Sequence, residues 1–322
     1  MRVPEELLAC PLHKTKLAFK EGVYSCEHGC DHEIVNAIPR FVPQHSYADS
    51  FGLQWNKFRQ TQLDSHTNTT VSEDRLRRLC GGDFGALENK IVLEAGCGAG
   101  RFSEIILKHC HRLYSFDLSN AVVANHKNNG HHENFFICQA NILEAPFQHE
   151  SFDVVLCIGV VQHTPSPEKT IDALCQYVKQ GGIIIIDHYT HGYGMTKARN
   201  CLRRHLLKRS VNFRLWFISI LVDGLWWLHR LAWKLGRYQW FRKYRLMFLN
   251  LSPIVDYHDA YRQLGEKLLK EWAFLDTHDL LTDEYKHLRS KEELVNLFEA
   301  NGFEIIRAEY AGNGVEIMAK KN

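Results

Sequence analysis

From Lys90 onward the chain runs in one rhythm, and that rhythm restricts its fold more than any other feature. "KIVLEAG" is a short apolar run, "RFSEIILKHC" an amphipathic one, and "RLYSFDLS" is apolar again before the helical "NAVVANHKNN". "FFICQANI", "FDVVLCIGV" and "GGIIIIDHY" are three further apolar runs, with helical "PEKTIDALCQYV" before the last. Apolar runs that do not alternate with polar residues are strands covered on both faces. Helices between them make βαβ units of a parallel sheet. Near the C-terminus, "SKEELVNLFEANGF" predicts a helix, with a capping box at Ser290 and Glu293 and a left-handed stop at Gly302. Leu294, Leu297 and Phe298 share one of its faces. "FEIIRAEYAG" and "GVEIMAKK" are strands joined at Gly312-Asn313-Gly314, a hairpin signal. The expected fold class is α/β, a mostly parallel sheet ending in a C-terminal hairpin.

The remaining chain is organised around that sheet. A length of 322 residues leaves room for two units. Residues 1–45 are short apolar pieces punctuated by Cys, His, Gly and Pro. Residues 46–85 are a polar connector with a helix around Asp74 to Leu79, and 86–322 hold the sheet. An insertion at about 192–285 interrupts it and contains "RLWFISILVDGLWWLHRLAWKL". A membrane span needs about 20 nearly uncharged residues. Asp223, His229 and Arg230 interrupt this stretch, so no transmembrane span is expected. The insertion is expected to pack as helices, or to act as a lid over an acceptor pocket that touches lipid through Trp and Arg. Lys plus Arg number 39 and Asp plus Glu 37, which gives no global signal for nucleic acid. "MRVPEELLAC" has no cationic region followed by an apolar one. Of ten cysteines, Cys138, Cys157 and Cys175 sit in apolar runs as small core residues. A cytoplasmic setting is expected, with peripheral membrane contact left open. Nothing in the sequence addresses oligomeric state.

The stretch "VLEAGCGAG", residues 92–100, carries the chemistry. A dinucleotide fingerprint would place its third glycine at 101, where the chain has Arg101. A phosphate-binding Lys-Ser/Thr pair is also missing. What remains is acid-x-Gly-x-Gly-x-Gly at a strand-to-helix turn. Glycines without Cβ let backbone approach a ligand closely. Glu94 at the strand end suits a cationic ligand group and would repel a pyrophosphate.

"EAGCGAG", "FDLS", "QANILEAPF" and "FDVVLCIGVVQHTPSPEKTI", in that order, resemble the class I S-adenosylmethionine-dependent methyltransferases. The resemblance covers about residues 90–190 and, more weakly, the C-terminal helix and hairpin. It implies a Rossmann-like sheet that binds S-adenosyl-L-methionine. Glu94 would lie near the cofactor's ammonium, with Gly96, Gly98 and Gly100 against its methionine part. Asp117, followed by Leu118, would accept the ribose hydroxyls. Asn141 and Ile142 would flank the adenine; the family usually has an aspartate at 141, and an asparagine carbonyl can still accept from the adenine amino group. Ile158 and Gly159 would line the site.

"CPLHKTKLAFKEGVYSCEHGC" carries Cys10, His13, Cys26 and Cys30, two knuckle-like pairs separated by about a dozen residues. This spacing matches a tetrahedral zinc site, which supplies folding energy to a small unit. His28 and His32 compete for the fourth place. Four protein ligands leave no open position, so the Zn2+ would be structural. With "HEIVNAIPRFVP" the segment resembles zinc-ribbon modules fused to, or partnered with, methyltransferases. Cysteine is usual in that family where this chain has His13.

His163 follows the fourth strand, and His188 and Tyr189 close the fifth. In open α/β sheets ligands bind beyond these carboxyl ends. Methyl transfer needs an in-line nucleophile, and a base only if that nucleophile carries a proton worth removing. His163 would be that base. "DTHDLLTDEY", with Asp276, His278, Asp279 and Tyr285, resembles a segment that closes over the site in small-molecule methyltransferases. The expected function is methyl transfer to a small-molecule or lipid-like acceptor. The alternatives are a ribosomal RNA base methyltransferase, for which "RLRR" and "KARNCLRRHLLKR" would meet phosphates, and a non-catalytic cofactor-binding interaction protein.

Overall fold

The computed structural model describes residues 5–42, 47–191, 193 and 195–322. Residues 1–4, which open the segment read for a leader, and 43–46, where the ribbon-like module is expected to end, lie outside the described residues.

In chain order, a small antiparallel sheet comes first: β1 (Ala18–Lys20), β2 (Val23–Ser25), β3 (Asp31–Val35) and β4 (Ile38–Pro39). Three helices follow, α1 (Asp49–Lys57), α2 (Asp64–Thr67) and α3 (Val71–Leu79). Then come β5 (Ile91–Ala95), α4 (Ser103–Ile106), β6 (Arg112–Asp117), α5 (Val122–Asn129), β7 (Phe135–Gln139), β8 (Phe152–Cys157), α6 (Pro167–Tyr177) and β9 (Val178–Tyr189). The helices α7 (Lys197–Leu206), α8 (Val211–Leu235), α9 (Arg242–Leu251) and α10 (Gly265–Thr282) precede α11 (Lys291–Ala300), β10 (Phe303–Ala311) and β11 (Gly314–Lys321). The seven-stranded sheet has the order β10-β11-β9-β8-β5-β6-β7. β9, β8, β5, β6 and β7 pair in parallel, and the C-terminal hairpin is antiparallel. The α/β class and the closing hairpin are as the sequence predicts.

The apolar runs are explained by two cores. Val92, Leu113, Ile137, Val154, Leu156 and Ile185 enter one. Their neighbours Leu93, Tyr114, Cys138, Val155, Cys157 and Ile186 enter the other. Period-2 alternation thus sends every second residue to an opposite, equally dry face. One expectation fails: "RFSEIILKHC" forms α-helix only at Ser103–Ile106. Beyond it, the N–H groups of Lys108 and His109 bond three residues back, to Ile105 and Ile106, so the segment tightens toward a 3₁₀ turn. Ser290 and Glu293 do form a capping box, and Gly302 has φ 80°.

Among the described residues, the small sheet shares its core with the large one. Leu8, Cys10, Leu17, Tyr24 and Phe41 pack in one cluster with Tyr114, Phe136 and Phe147 of the large sheet's side. Phe41 donates its N–H to the Gln139 carbonyl at 2.8 Å, and Arg40 bridges in parallel to Gln139, so the end of this segment runs beside β7.

The chain divides into two compact units. Met1–Arg59, Ser72–Tyr193 and Tyr285–Asn322 form the first; Gln60–Val71 and Gly194–Glu284 form the second. In the second, α8 packs on α10 and α9. His229 of α8 is buried between Asp256, at 2.7 Å, and Ser252, at 2.8 Å. By length and composition α8 could cross a membrane.

Candidate functional site

The site lies at the carboxyl ends of β5, β6, β8 and β9, where strands give way to turns. After β5 the chain turns through Gly96, Gly98 and Gly100, all with positive φ. Two of these glycines serve packing. A Cβ on Gly96, at φ 76°, would lie 2.3 Å from a Val160 methyl. One on Gly100, at φ 88°, would lie 2.3 Å from both Asn125 Oδ1 and Asn129 Nδ2. The turn is therefore held shut on the protein side. At Gly98 a Cβ would meet the Trp55 ring at 3.5 Å.

A buried polar network fixes this turn. Glu94, 5% exposed, accepts from Ser103 Oγ at 2.5 Å and Ser115 Oγ at 2.7 Å, both on Oε2. Asn125 Nδ2 donates to Ser103 Oγ at 2.9 Å, and Asn129 Nδ2 donates to Asn125 Oδ1 at 2.8 Å and to the Gly100 carbonyl at 3.2 Å. Asn128 Nδ2 donates to the Ala99 carbonyl at 2.8 Å. Burial pushes the Glu94 carboxyl up to about 7, against the opposing pull of the two serine bonds. A cation placed beside it would favour the carboxylate. The sequence of "NAVVANHKNN" predicts a helix but not this role for its asparagines. Three asparagines in one helix, a position where asparagine is a poor helix former, were the available signal.

Asp117 ends β6. Oδ2 accepts from Gly98 N at 3.0 Å, and Oδ1 accepts from Ser119 N at 2.8 Å and Ser119 Oγ at 2.7 Å. Burial raises its carboxyl above the ordinary range, and those three donors pull it back. A carboxylate has about four acceptor positions, so room remains for a ligand hydroxyl. The Leu118 carbonyl accepts from Gln139 Nε2 at 2.8 Å, and Gln139 Oε1 accepts from Arg40 at 2.6 Å. Arg40 also donates to Asn120 Oδ1 at 3.1 Å, so the N-terminal module reaches the rim of the site. Asn141 Oδ1 accepts from Leu143 N at 3.2 Å, capping its own 3₁₀ turn, and Ile142 is buried beside it.

After β8, Ile158 is half-buried, and Gly159, at φ 74°, donates its N–H to Asp187 Oδ1 at 2.5 Å. Asp187 also pairs with Arg75. His163 is 8% exposed; its Nδ1 lies 3.3 Å from the Tyr285 carbonyl, an arrangement in which Nδ1–H donates and Nε2 carries the lone pair. Its ring meets Tyr189 edge-on at 5.2 Å and Phe51 at 5.8 Å. Tyr189 stacks on Tyr193 at 3.8 Å, and Tyr47 meets Tyr285 edge-on at 5.3 Å. Burial first, then the nearby Asp117 and Tyr285, push the Tyr47 phenol up to about 12.

Helix α1, in the segment expected to be a connector, covers this ground. Asn56 Nδ2 donates to the Asn120 carbonyl at 2.9 Å, Trp55 faces Gly98, and Phe51 faces His163. Two of the expected acceptor residues, His188 and His278, are buried. His188 is 1% exposed, its Nδ1 bonded to the Tyr189 carbonyl at 2.8 Å, and burial pushes it down to about 4. His278 lies fully buried in α10 of the second unit, bonded to Thr282. In the same helix, Asp276 accepts from Tyr257 Oη.

In the N-terminal module, the ligand atoms of Cys10, His13, Cys26 and Cys30 all lie within 4.8 Å of one another. His13 Nδ1 is 3.7 Å from the sulfur of Cys10 and 3.5 Å from those of Cys26 and Cys30. A tetrahedral zinc with its usual bond lengths has N···S edges of about 3.6 Å. The four donors thus fit that ion in type and spacing. The His28 ring meets that of His13 at a tilt, with centroids 4.7 Å apart, and His32 packs on Phe41.

Residues 93–186 match the model of a methyltransferase domain. A ubiquinone biosynthesis O-methyltransferase of Coxiella burnetii is 32% identical over 100 residues, 30% of this chain and 42% of that one. Another of that description, from Hydrogenovibrio crunogenus, is 28% identical over 114 residues, covering 34% and 47%. The chain thus spans less than half the length of these curated relatives. Among solved structures, the magnesium protoporphyrin IX methyltransferase of Synechocystis PCC 6803 with bound SAH superimposes with a TM-score of 0.46 and 13% identity, covering 86% of this chain and 97% of that one. Residues 93–186 are thus similar to a methyltransferase domain.

Proposed function

We propose that this chain transfers a methyl group from S-adenosyl-L-methionine to a small-molecule or lipid-like acceptor. The observation that carries the reading is the pairing of the glycine turn with Asp117. Backbone N–H and carboxylate face each other at 3.0 Å across the ends of two adjacent parallel strands. When bound, the cofactor supplies an electrophilic methyl carbon on a sulfonium. Glu94 faces its ammonium, Gly96 and Gly98 present main chain to its methionine part, and Gly100 holds the turn against α5. Asp117, with Leu118 behind it, takes the ribose hydroxyls. Asn141 and Ile142 flank the adenine, and Ile158 and Gly159 line the floor. Trp55 of α1 covers the turn and keeps water from it.

His163 removes the acceptor's proton. Its Nδ1–H is oriented by the Tyr285 carbonyl, which leaves Nε2 as the basic atom. The rings of Tyr189 and Phe51 pack against it, and the Tyr285 ring meets that of Tyr47, an environment for a flat, apolar acceptor. The curated relatives, named for O-methyl transfer in ubiquinone biosynthesis, support a small-molecule acceptor. We assign His188 and His278 to packing, because each is enclosed and bonded within its own element. Cys10, His13, Cys26 and Cys30 hold a structural Zn2+, which fastens the small sheet beside β7.

The test is incubation of the full-length protein with a metabolite extract and cofactor bearing a deuterated methyl group, followed by mass spectrometry. A labelled small molecule supports the reading. Label found only in RNA, or no turnover of a cofactor that does bind, overturns it.

A further inference from the structure

Residues 197–251 hold 13 Lys or Arg and a single acid, Asp223, which leaves 26 basic against 36 acidic residues in the rest of the chain. The near-neutral total conceals one strongly cationic segment. That same segment carries surplus apolar surface. One side of α8 buries Ile218, Val222, Trp226, His229 and Ala232. The other side, at three- and four-residue spacing, exposes Phe213, Trp216, Ile220, Trp227 and Leu231, with Trp216 at 58% and Trp227 at 60%. Trp240, at 68%, and Leu246, Met247 and Leu251 of α9 extend the exposed apolar surface. A helix of a water-soluble protein hides its one apolar stripe. Only 17% of the most apolar stretch of α8 is buried. Beside it, Arg237, Arg242, Arg245 and Arg262 line a surface hollow of about 460 Å³ with Trp233 and Asp259. Arg245 and Arg262 pair with Asp259, whereas Arg237 and Arg242 make no ion pair among the described residues.

We propose that α8, the turn after it and α9 dock on the surface of an anionic lipid bilayer. The helices lie in the headgroup plane, with aromatic and aliphatic side chains in the acyl boundary and arginines on lipid phosphates. An in-plane rather than spanning position follows from His229, whose buried bonds to Asp256 and Ser252 would be stranded in hydrocarbon. RNA would satisfy the cations but leave Leu231, Leu246, Met247 and Leu251 in water. The inference goes beyond the methyl-transfer reading and does not require it.

The experiment sediments the full-length protein with vesicles of phosphatidylcholine alone and of phosphatidylcholine with phosphatidylglycerol. Binding to the anionic vesicles is expected to be at least about tenfold tighter, with a blue shift of tryptophan emission and quenching by brominated acyl chains. Trp216→Ser with Trp227→Ser weakens it about tenfold, and Arg242→Glu with Lys243→Glu removes the preference for anionic lipid. Calorimetry with S-adenosylhomocysteine on the same variants reports the cofactor site separately, and its affinity is expected to be unchanged. The proposal is overturned if the wild type ignores anionic vesicles, if neither double variant alters binding, or if the protein prefers ribosomal RNA to vesicles. It is also overturned if membranes retain the protein after alkaline carbonate extraction, which would mark α8 as a span.

Discussion

The two units dispose of apolar surface in opposite ways. In the sheet, Leu93 and Val92 enter opposite cores, as do Tyr114 and Leu113, so its strands leave little apolar surface to present. Its polar chemistry is concentrated near strand ends, where Glu94, Asp117 and Asp187 are held by bonds to neighbouring turns and helices. The helical unit keeps Trp216, Trp227 and Trp240 in the open, in a segment, 197–251, that holds 13 Lys or Arg and one acid. The first arrangement suits a polar ligand gripped by preorganised groups; the second suits a broad, soft surface. Two binding modes of different physical origin can thus be perturbed one at a time.

The largest perturbation of the sheet's site is Gly96→Ala. A new Cβ 2.3 Å from Val160, on backbone with φ 76°, adds overpacking to conformational strain, together about 3 kcal/mol. Loss of cofactor affinity by more than about 100-fold is expected in calorimetry, with a melting temperature lower by several degrees. Were both to stay at wild-type values, the turn would not be the rigid element described here. Next is His163→Gln, expected to lower kcat by about 10²–10⁴ while S-adenosylhomocysteine affinity holds. An unchanged kcat removes the base assignment and leaves the pocket intact.

The ribbon sharpens the contrast from another side. Elemental analysis is expected to find one zinc per chain. Cys26→Ser with Cys30→Ser is expected to release it and lower the melting temperature by about 5 °C or more in one cooperative transition, because Cys10 and Cys26 share a core with Tyr114 and Phe147. A separate, low-temperature transition would instead mark the ribbon as an independent domain.

The smallest effect concerns Glu94. Its carboxyl, ordinarily near 4.5, sits at about 7 in the folded chain. Between those values the folded state holds the extra proton, so stability falls as pH rises through that window. A ligand ammonium reverses the preference, and S-adenosylhomocysteine affinity is expected to strengthen severalfold from about pH 6 to 8, on the ionisation of one group. Glu94→Gln should flatten both profiles; a wild-type profile that is already flat contradicts the assignment.

Much of this was legible in the chain. Uninterrupted runs such as "FDVVLC" betray strands covered on both faces, and Ser290 with Glu293 marks a helix start by local chemistry alone. The cluster of Cys10, His13, Cys26 and Cys30 could be picked out by spacing because short-range turns bring these residues together. Features set by distant contacts could not. Asn125 and Asn129 acquire their role only when α5 lies against the glycine turn. Trp55 acquires its own only when α1 folds over Gly98. The exposure of Trp216 and Trp227 was likewise hidden, since an apolar stretch does not announce which of its faces finds a partner.

The most direct test of the central claim is calorimetric titration of the purified wild-type chain and of Asp117→Ala with S-adenosylhomocysteine. The account predicts saturable heat at one site per chain in the wild type, and at least about tenfold weaker binding in the variant at a nearly unchanged melting temperature. A well-folded wild type that gives no heat, or an Asp117→Ala variant that binds as tightly, would contradict it.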